Sequence, residues 1–172
     1  MFIQHVCISV QDLEKSCEFY RDIMGFTELT APNHIEMLPD RPENAPDSHF
    51  SYYGYDCGEM CFRLNKNAKA RMAVFMVDAN EHAGGGCIEI QCFTDPKTTY
   101  VEQNYITTGI KEICFSVENV TKLKEWEDKL KAAGVDMRTQ MWDVGDGAFR
   151  HPTILFHDPD GNILQLTAAA LD

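Results

Sequence analysis

Two stretches of this chain repeat one another, and that restricts the fold more than any other feature. "FIQHVCISVQDLEKSCEFYRDIMGF" opens the chain and "GIKEICFSVENVTKLKEWEDKLKAAGV" opens its second part. Aligning "IQHVCISV" with "IKEICFSV" pairs Ile3 with Ile110, His5 with Glu112, Cys7 with Cys114, Ser9 with Ser116 and Val10 with Val117. Each run alternates, is rich in β-branched and aromatic residues, and reads as a strand.

Each strand leads into a helix start. Asp12 and Asn119 stand where an N-cap belongs. Leu13, Cys17, Tyr20 and Met24 then fall at helical spacing, as do Val120, Leu123, Trp126 and Leu130. Gly25 and Gly134 stop these helices, and Phe26 and Val135 begin further strands. The closing strands also match. "GGCIEIQCF" at 85–93 pairs with "GNILQLTAA" at 161–169, so Glu89 matches Gln165 and Gln91 matches Thr167. "RMAVFMVD" and "PTILFHD" precede them as strands, and "DPDGN" at 158–162 is a turn. Each half reads β-α-β-β-β, an α+β arrangement of two tandem modules.

The expected boundaries are 1–94 for the first module, 95–108 for a linker and 109–172 for the second module. The first module is longer by an insertion at about 31–71, with four prolines and then the aromatic run "HFSYYGY". Long insertions of this kind shape binding sites or serve as packed flaps. "WDVGDGAFRH" at 142–151, with its two glycines, reads as a mobile lip.

Composition narrows the function classes. The 172 residues are 44% hydrophobic and 24% charged, as in a globular domain, and the formal charge is -12. Phosphates would be repelled, so neither nucleic acid nor an anionic membrane is an expected partner. No run approaches the roughly 20 apolar residues of a membrane span. The first ten residues lack a basic flank and a cleavage site, so a cytoplasmic location is expected. Seven cysteines, an odd number, read as reduced thiols. "CGEMC" (Cys57 and Cys61) is at most half a zinc site, with no second pair at matching spacing.

Strand parity separates two faces. Val6, Ile8 and Val10 pack under the first helix, and Ile113, Phe115 and Val117 under the second. His5, Cys7 and Ser9 share the other face, as do Glu112, Cys114 and Ser116. Glu89 and Gln91 oppose Ile88 and Ile90; Gln165 and Thr167 oppose Leu164 and Leu166. A sheet covered by helices on one side leaves its polar side concave and wet. If two such sheets face each other, His5, Glu89, Glu112 and Gln165 converge. One imidazole, two carboxylates and one amide oxygen suit a divalent cation and cancel its charge. In a metal-free cleft, Glu112 would instead pair with Lys or Arg, and His5 would be a hydrogen-bonded histidine. Cys7 and Cys114 are thiols lining that face. Arg138 and Arg150 could meet a substrate carboxylate or simply be solvated, and His157 reads as structural.

"HVCISVQDLEKSCEFYRDIMGF" and "LFHDPDGNILQL" carry a resemblance to the glyoxalase, bleomycin-resistance and extradiol dioxygenase superfamily, the vicinal oxygen chelate proteins. The likeness spans nearly the whole chain outside the insertion. It implies paired βαβββ modules with curved mixed sheets around a metal cleft, and ligands on the first and last strand of each module. Those positions here are His5, Glu89, Glu112 and Gln165. The family usually has His where Glu112 stands and Glu where Gln165 stands. Extradiol and fosfomycin-type sites need a second His, so both are disfavoured. Glyoxalase I is the nearest expectation, because its eukaryotic type uses one His, one Gln and two Glu. With the modules exchanged, only the Glu112 and Gln165 pair is inverted.

The resemblance then implies a lyase or isomerase acting on a small carbonyl compound or its thiol adduct, by proton transfer through an enediolate. The metal would be Zn or Ni first, with Co, Mn or Fe as others. Glu89 and Glu112 are the titratable catalytic candidates, Glu89 favoured as base, since the Gln165 amide does not titrate. Cys7, Gln91, Cys114 and Thr167, one step along, are expected to line the substrate. Two rivals stand: an epimerase of the same superfamily, and a metal-free protein that sequesters a drug or metabolite. A homodimer is expected, with the cleft formed within one chain or by modules exchanged between two.

Overall fold

The computed structural model describes residues 3–29, 35–36, 69–77, 86–106, 108–144 and 151–170. The chain divides into two compact units, Met1–Tyr100 and Val101–Asp172.

In the first unit, β1 (His5–Ser9) leads into α1 (Leu13–Glu18), which continues as a π-helical turn over Phe19–Ile23. Short strands β2 (Thr27–Glu28) and β3 (Ile35–Glu36) precede β4 (Lys69–Met76) and β5 (Cys87–Asp95). The sheet order is β1-β5-β4-β2, with β3 also pairing β4. The second unit runs β6 (Glu112–Val117), α2 (Val120–Ala132), β7 (Trp142–Val144), β8 (His151–His157) and β9 (Ile163–Ala168), in the order β6-β9-β8-β7. Each unit pairs its first strand in parallel with its last and the remaining neighbours antiparallel, so both sheets are mixed. Two similar βαβββ modules are present, as the repeat predicts.

The helix signals act as expected. Asp12 Oδ1 accepts from Lys15 N at 3.1 Å and Asn119 Oδ1 from Lys122 N at 2.9 Å, each satisfying an amide the helix leaves open. Gly25 and Gly134 take φ of 74° and 72°, the left-handed region that ends a helix without a Cβ clash. The expected stripe of Leu13, Cys17, Tyr20 and Met24 is buried, and the π turn brings Phe19 into the core beside Tyr20, rings edge to face with centroids 5.1 Å apart. Arg71 Nη1 to Glu14 Oε1, 2.6 Å, fastens α1 to β4. In the second unit Leu123 and Leu130 of α2 are buried with Ile154, Phe156, Leu164 and Leu166. Glu127 accepts from Lys131 Nζ at 2.7 Å and from Met141 N at 3.1 Å, holding the chain ahead of β7 to the helix.

Two expectations change. No regular strand begins at Val135; the segment after α2 lies along β8 through an isolated bridge, Met137 to Phe156, flanked by irregular hydrogen bonds (His157 N to Asp136 O, Arg138 N and Thr139 N to Leu155 O), and the regular strand comes later, at β7. The expected lip therefore starts as strand, because Trp142, Asp143 and Val144 pair with Thr153, Pro152 and His151. Its glycines, Gly145 and Gly147, with Arg150, lie outside the described residues, as do Cys57, Cys61 and most of the insertion.

The turn at 158–162 is built on Asp158. Its Oδ1 accepts from Asp160 N at 2.9 Å and Asn162 N at 2.8 Å, and its Oδ2 from Asn162 Nδ2 at 2.9 Å. Gly161, at φ 80°, closes it and sets where β9 begins. His157 Nδ1 lies 2.7 Å from Asp136 Oδ2, the structural role expected of it.

Candidate functional site

The parallel pairings place the candidates in the same register twice. In the first unit Cys7 is the direct partner of Glu89, Ser9 of Gln91, and His5 of Cys87. In the second Cys114 partners Gln165, Ser116 partners Thr167, and Glu112 partners Ile163. Direct partners in a parallel ladder share a face. His5 and Glu89 thus lie on one diagonal, and Glu112 and Gln165 on the equivalent one. The sequence alignment of the halves is also their structural alignment.

The polar face of the first sheet is not wet throughout. His5, Cys7 and Ser9 on edge strand β1 are exposed, but Glu89 and Gln91 on β5 are only 7% and 6% exposed. β5 is an interior strand, and β4 places Val74 beside Glu89 and Met72 beside Gln91. Ala70 and Met72 form a small buried cluster with Val74 and Phe93 packed against it. The face is polar at β1 and β5 and apolar at β4.

His5 Nδ1 is hydrogen-bonded to Gln4 Oε1. With Nδ1 as donor, Nε2 carries the lone pair. The Cys7 thiol is pushed from 9.0 to about 12, first by loss of water around it, then by the Glu89 charge and a hydrogen bond to that carboxylate. It is a neutral donor at physiological pH rather than a nucleophile. Gln91 Nε2 donates to Ser9 Oγ at 3.2 Å, while its Oε1 is buried with no hydrogen-bond partner among the described residues. A buried carbonyl left so costs about 1–3 kcal/mol.

In the second unit Glu112 is exposed and has a partner that strand pattern did not foresee. Tyr105 Oη donates to Glu112 Oε2 at 2.6 Å, and Arg138 lies over the Tyr105 ring, its Cζ 5.5 Å from the centroid. The expected Lys or Arg partner is replaced by a phenol, with Arg138 one layer behind it. Tyr105 belongs to the segment read as linker, where no periodicity marks a residue's direction. Loss of water and the Glu112 hydrogen bond push its hydroxyl from 10.0 to about 12. Burial and the Glu112 charge also raise the Cys114 thiol. Gln165 Nε2 donates to Thr153 Oγ1 at 2.7 Å, and Thr167 Oγ1 donates to Pro152 O at 3.2 Å. Thr153 was missed by the sequence reading, although it shares parity with Leu155 and His157 in β8.

Among the described residues no three His, Cys, Asp or Glu side chains gather closely enough to hold a metal ion. The structure brings together pairs: Cys7 with Glu89, and Gln165 with Thr153. Taken unit by unit, the His5 imidazole nitrogen of the first, and in the second the Gln165 oxygen left over when Nε2 bonds Thr153, are each a donor type that a divalent cation accepts.

The sequence profile of the glyoxalase/bleomycin resistance protein/dioxygenase superfamily matches residues 2–166. The chain belongs to that superfamily. No curated protein matches it. Solved structures agree on the fold. A glyoxalase family protein from Bacillus cereus superposes with a TM-score of 0.67 at 15% identity, covering 98% of this chain and 93% of its own. A glyoxylase/bleomycin resistance protein/dioxygenase domain from Frankia sp. EAN1pec gives 0.64 at 19% identity, over 99% and 93%. The fosfomycin resistance protein FosX from Listeria monocytogenes gives 0.59 at 16% identity, over 99% and 94%. At such identities the likeness is one of fold. Within this superfamily both metal-dependent and metal-free members are accommodated, so membership leaves the reaction open.

Proposed function

We propose that this superfamily member is a divalent-metal-dependent lyase or isomerase of the glyoxalase I type, acting on a small carbonyl compound or its thiol adduct. The observation that carries the reading is the doubled register: one diagonal pair of donors in each unit, His5 with Glu89 and Glu112 with Gln165. His5, Glu89, Glu112 and Gln165 would hold the cation as one set, completed within a chain or between the chains of a homodimer. Zinc or nickel suits this mix of nitrogen and oxygen donors, with cobalt, manganese or iron as alternatives. The bound metal would polarise a substrate oxygen and so acidify the adjacent C–H.

The chain's own residues do the rest. Glu89 is the base: it is buried between Cys7 and Val74, where a carboxylate is shielded from competing water. Glu112 is the second titratable group, and the Tyr105 hydroxyl bound to it supplies a proton donor at that position. Cys7, Gln91, Cys114 and Thr167 line the substrate. The same arrangement would serve an epimerase.

A metal-free binding protein is the second reading. The Tyr105 contact with Glu112 favours it, as does the lack of a three-donor cluster among the described residues.

Metal content after purification without added metal, followed by turnover of methylglyoxal plus glutathione, tests the proposal. Bound metal that falls in Glu89→Gln and Glu112→Gln supports the shared set. Unchanged metal and activity in both variants would sink it, and absence of turnover in metal-replete protein would remove the glyoxalase substrate. Stoichiometric tight binding of a metabolite without turnover would favour the second reading. The homodimer is checked by sedimentation, and the cytoplasmic placement by cell fractionation.

A further inference from the structure

Thr153 is fully buried, at 0% exposure, and sits on β8 one step diagonally from Gln165. Its hydroxyl makes two contacts. Oγ1 donates to Leu166 O at 2.9 Å and accepts from Gln165 Nε2 at 2.7 Å. A threonine hydroxyl has one proton, and a backbone carbonyl can only accept. The proton is therefore spent on Leu166, and Oγ1 meets Gln165 with a lone pair. Reversing the Gln165 amide would set its oxygen against that lone pair, with no proton between them. The reversed amide could be accommodated only by turning the hydroxyl away from Leu166 O and giving up that bond, so the orientation with Nε2 on Thr153 is the favoured one. Gln165 Oε1 takes no hydrogen bond from the described residues.

We infer that Thr153 is the positioning residue that makes Gln165 present an amide oxygen, not an amide nitrogen, on the polar face of the second unit's sheet. The inference rests on the proposed role of Gln165 as an oxygen donor. It explains how an amide serves at a position where the superfamily resemblance leads one to expect a carboxylate. An unrestrained amide would offer NH₂ as readily as oxygen, and the NH₂ would repel a cation. Leu166 O belongs to the sheet ladder, so the orientation is anchored to backbone and holds whether or not a ligand is bound.

The test compares Thr153→Val, which keeps shape and loses the hydroxyl, with Thr153→Ser, which keeps the hydroxyl. The first readout needs no metal. The Gln165 side-chain amide protons, assigned by their loss in Gln165→Glu, are followed by NMR. In wild-type protein one should be shifted downfield and slow to exchange; Thr153→Ser should keep this and Thr153→Val should lose it. The second readout is Co(II) titration of apo protein with its visible spectrum. Thr153→Val should weaken binding about tenfold, as loss of a ligand's hydrogen-bond partner typically does, and Thr153→Ser should restore it.

Equal exchange of the two amide protons in wild-type protein would overturn the inference even if Thr153→Val fails to fold. So would a Thr153→Ser protein that behaves like Thr153→Val. Wild-type protein with a held amide that takes up no Co(II) would support Thr153 as the orienting residue. It would remove the metal from the proposed function, leaving Gln165 Oε1 as an acceptor for substrate.

Discussion

The Tyr105 hydroxyl gives its hydrogen to Glu112 Oε2 across 2.6 Å, and Arg138 backs the tyrosine ring. A carboxylate on an edge strand is thereby partnered by a neutral hydroxyl. The phenol and a cation would compete for the same oxygen. Tyr105→Phe should therefore raise Co(II) affinity by roughly 3–10-fold, the worth of about 1 kcal/mol of lost competition. A fall in affinity would mean that Tyr105 supports the site instead. Glu112→Gln should return the Tyr105 hydroxyl from about 12 towards its ordinary 10.0. The phenol absorbance lost in Tyr105→Phe isolates that titration. Because the folded value is raised, its contribution to stability is whole below pH 10 and is lost as pH rises towards 12.

Gln91 trades stability for a free oxygen. Its Oε1 is buried and unpartnered among the described residues, and Met72 is its neighbour on β4. Gln91→Met should leave the fold intact and stabilise it by up to about 1–2 kcal/mol, since it removes an unsatisfied polar group. Urea unfolding measures this. If Gln91 orients substrate, the same variant should bind ligand more weakly. A variant both less stable and unchanged in binding would assign the amide a purely structural role.

The Cys7 and Cys17 thiols are both pushed up to about 12, chiefly because surrounding protein displaces water from the sulfur, although Cys7 as a residue is exposed and Cys17 buried, with Glu89 acting on the first and Glu28 on the second. At pH 8 the thiolate fraction of each should be up to about a thousandfold below that of an ordinary cysteine. Site-resolved alkylation followed by mass spectrometry should find both among the slowest to react. Glu89→Gln should speed Cys7 and leave Cys17 unchanged. Equal rates for Cys7 in the two proteins would break the Cys7–Glu89 link. Both folded values lie above the unfolded 9.0, so the stability held by the neutral thiols is complete below pH 9 and declines towards pH 12.

Much of the architecture could be read from the chain. Helix caps, glycine stops and strand alternation are local, and each depends on residues within one turn or one pleat. Asp12, Asn119, Gly25 and Gly134 act where their spacing placed them. The repeat also foretold which residues of the first and last strands occupy equivalent rungs, because parallel pairing carries one register through a whole ladder. The expected strand at Val135 does not form as a regular one, since Arg138 N and Thr139 N both turn to Leu155 O and Met141 N is drawn to Glu127 before the chain can pair continuously.

By itself, then, the sequence determined two βαβββ modules, their faces and the equivalent strand rungs on which His5, Glu89, Glu112 and Gln165 stand. Alternation and capping are properties of neighbouring residues, so they are written in order along the chain. Only the tertiary structure decided what stands beside those positions. Glu89 and Gln91 are buried because β5 is an interior strand next to the apolar side chains of β4. Glu112 meets a phenol because an irregular segment folds back over an edge strand. Gln165 shows its oxygen because a hydroxyl from another strand has already spent its one proton. These are contacts between strands and loops, and periodicity along one strand carries no record of them.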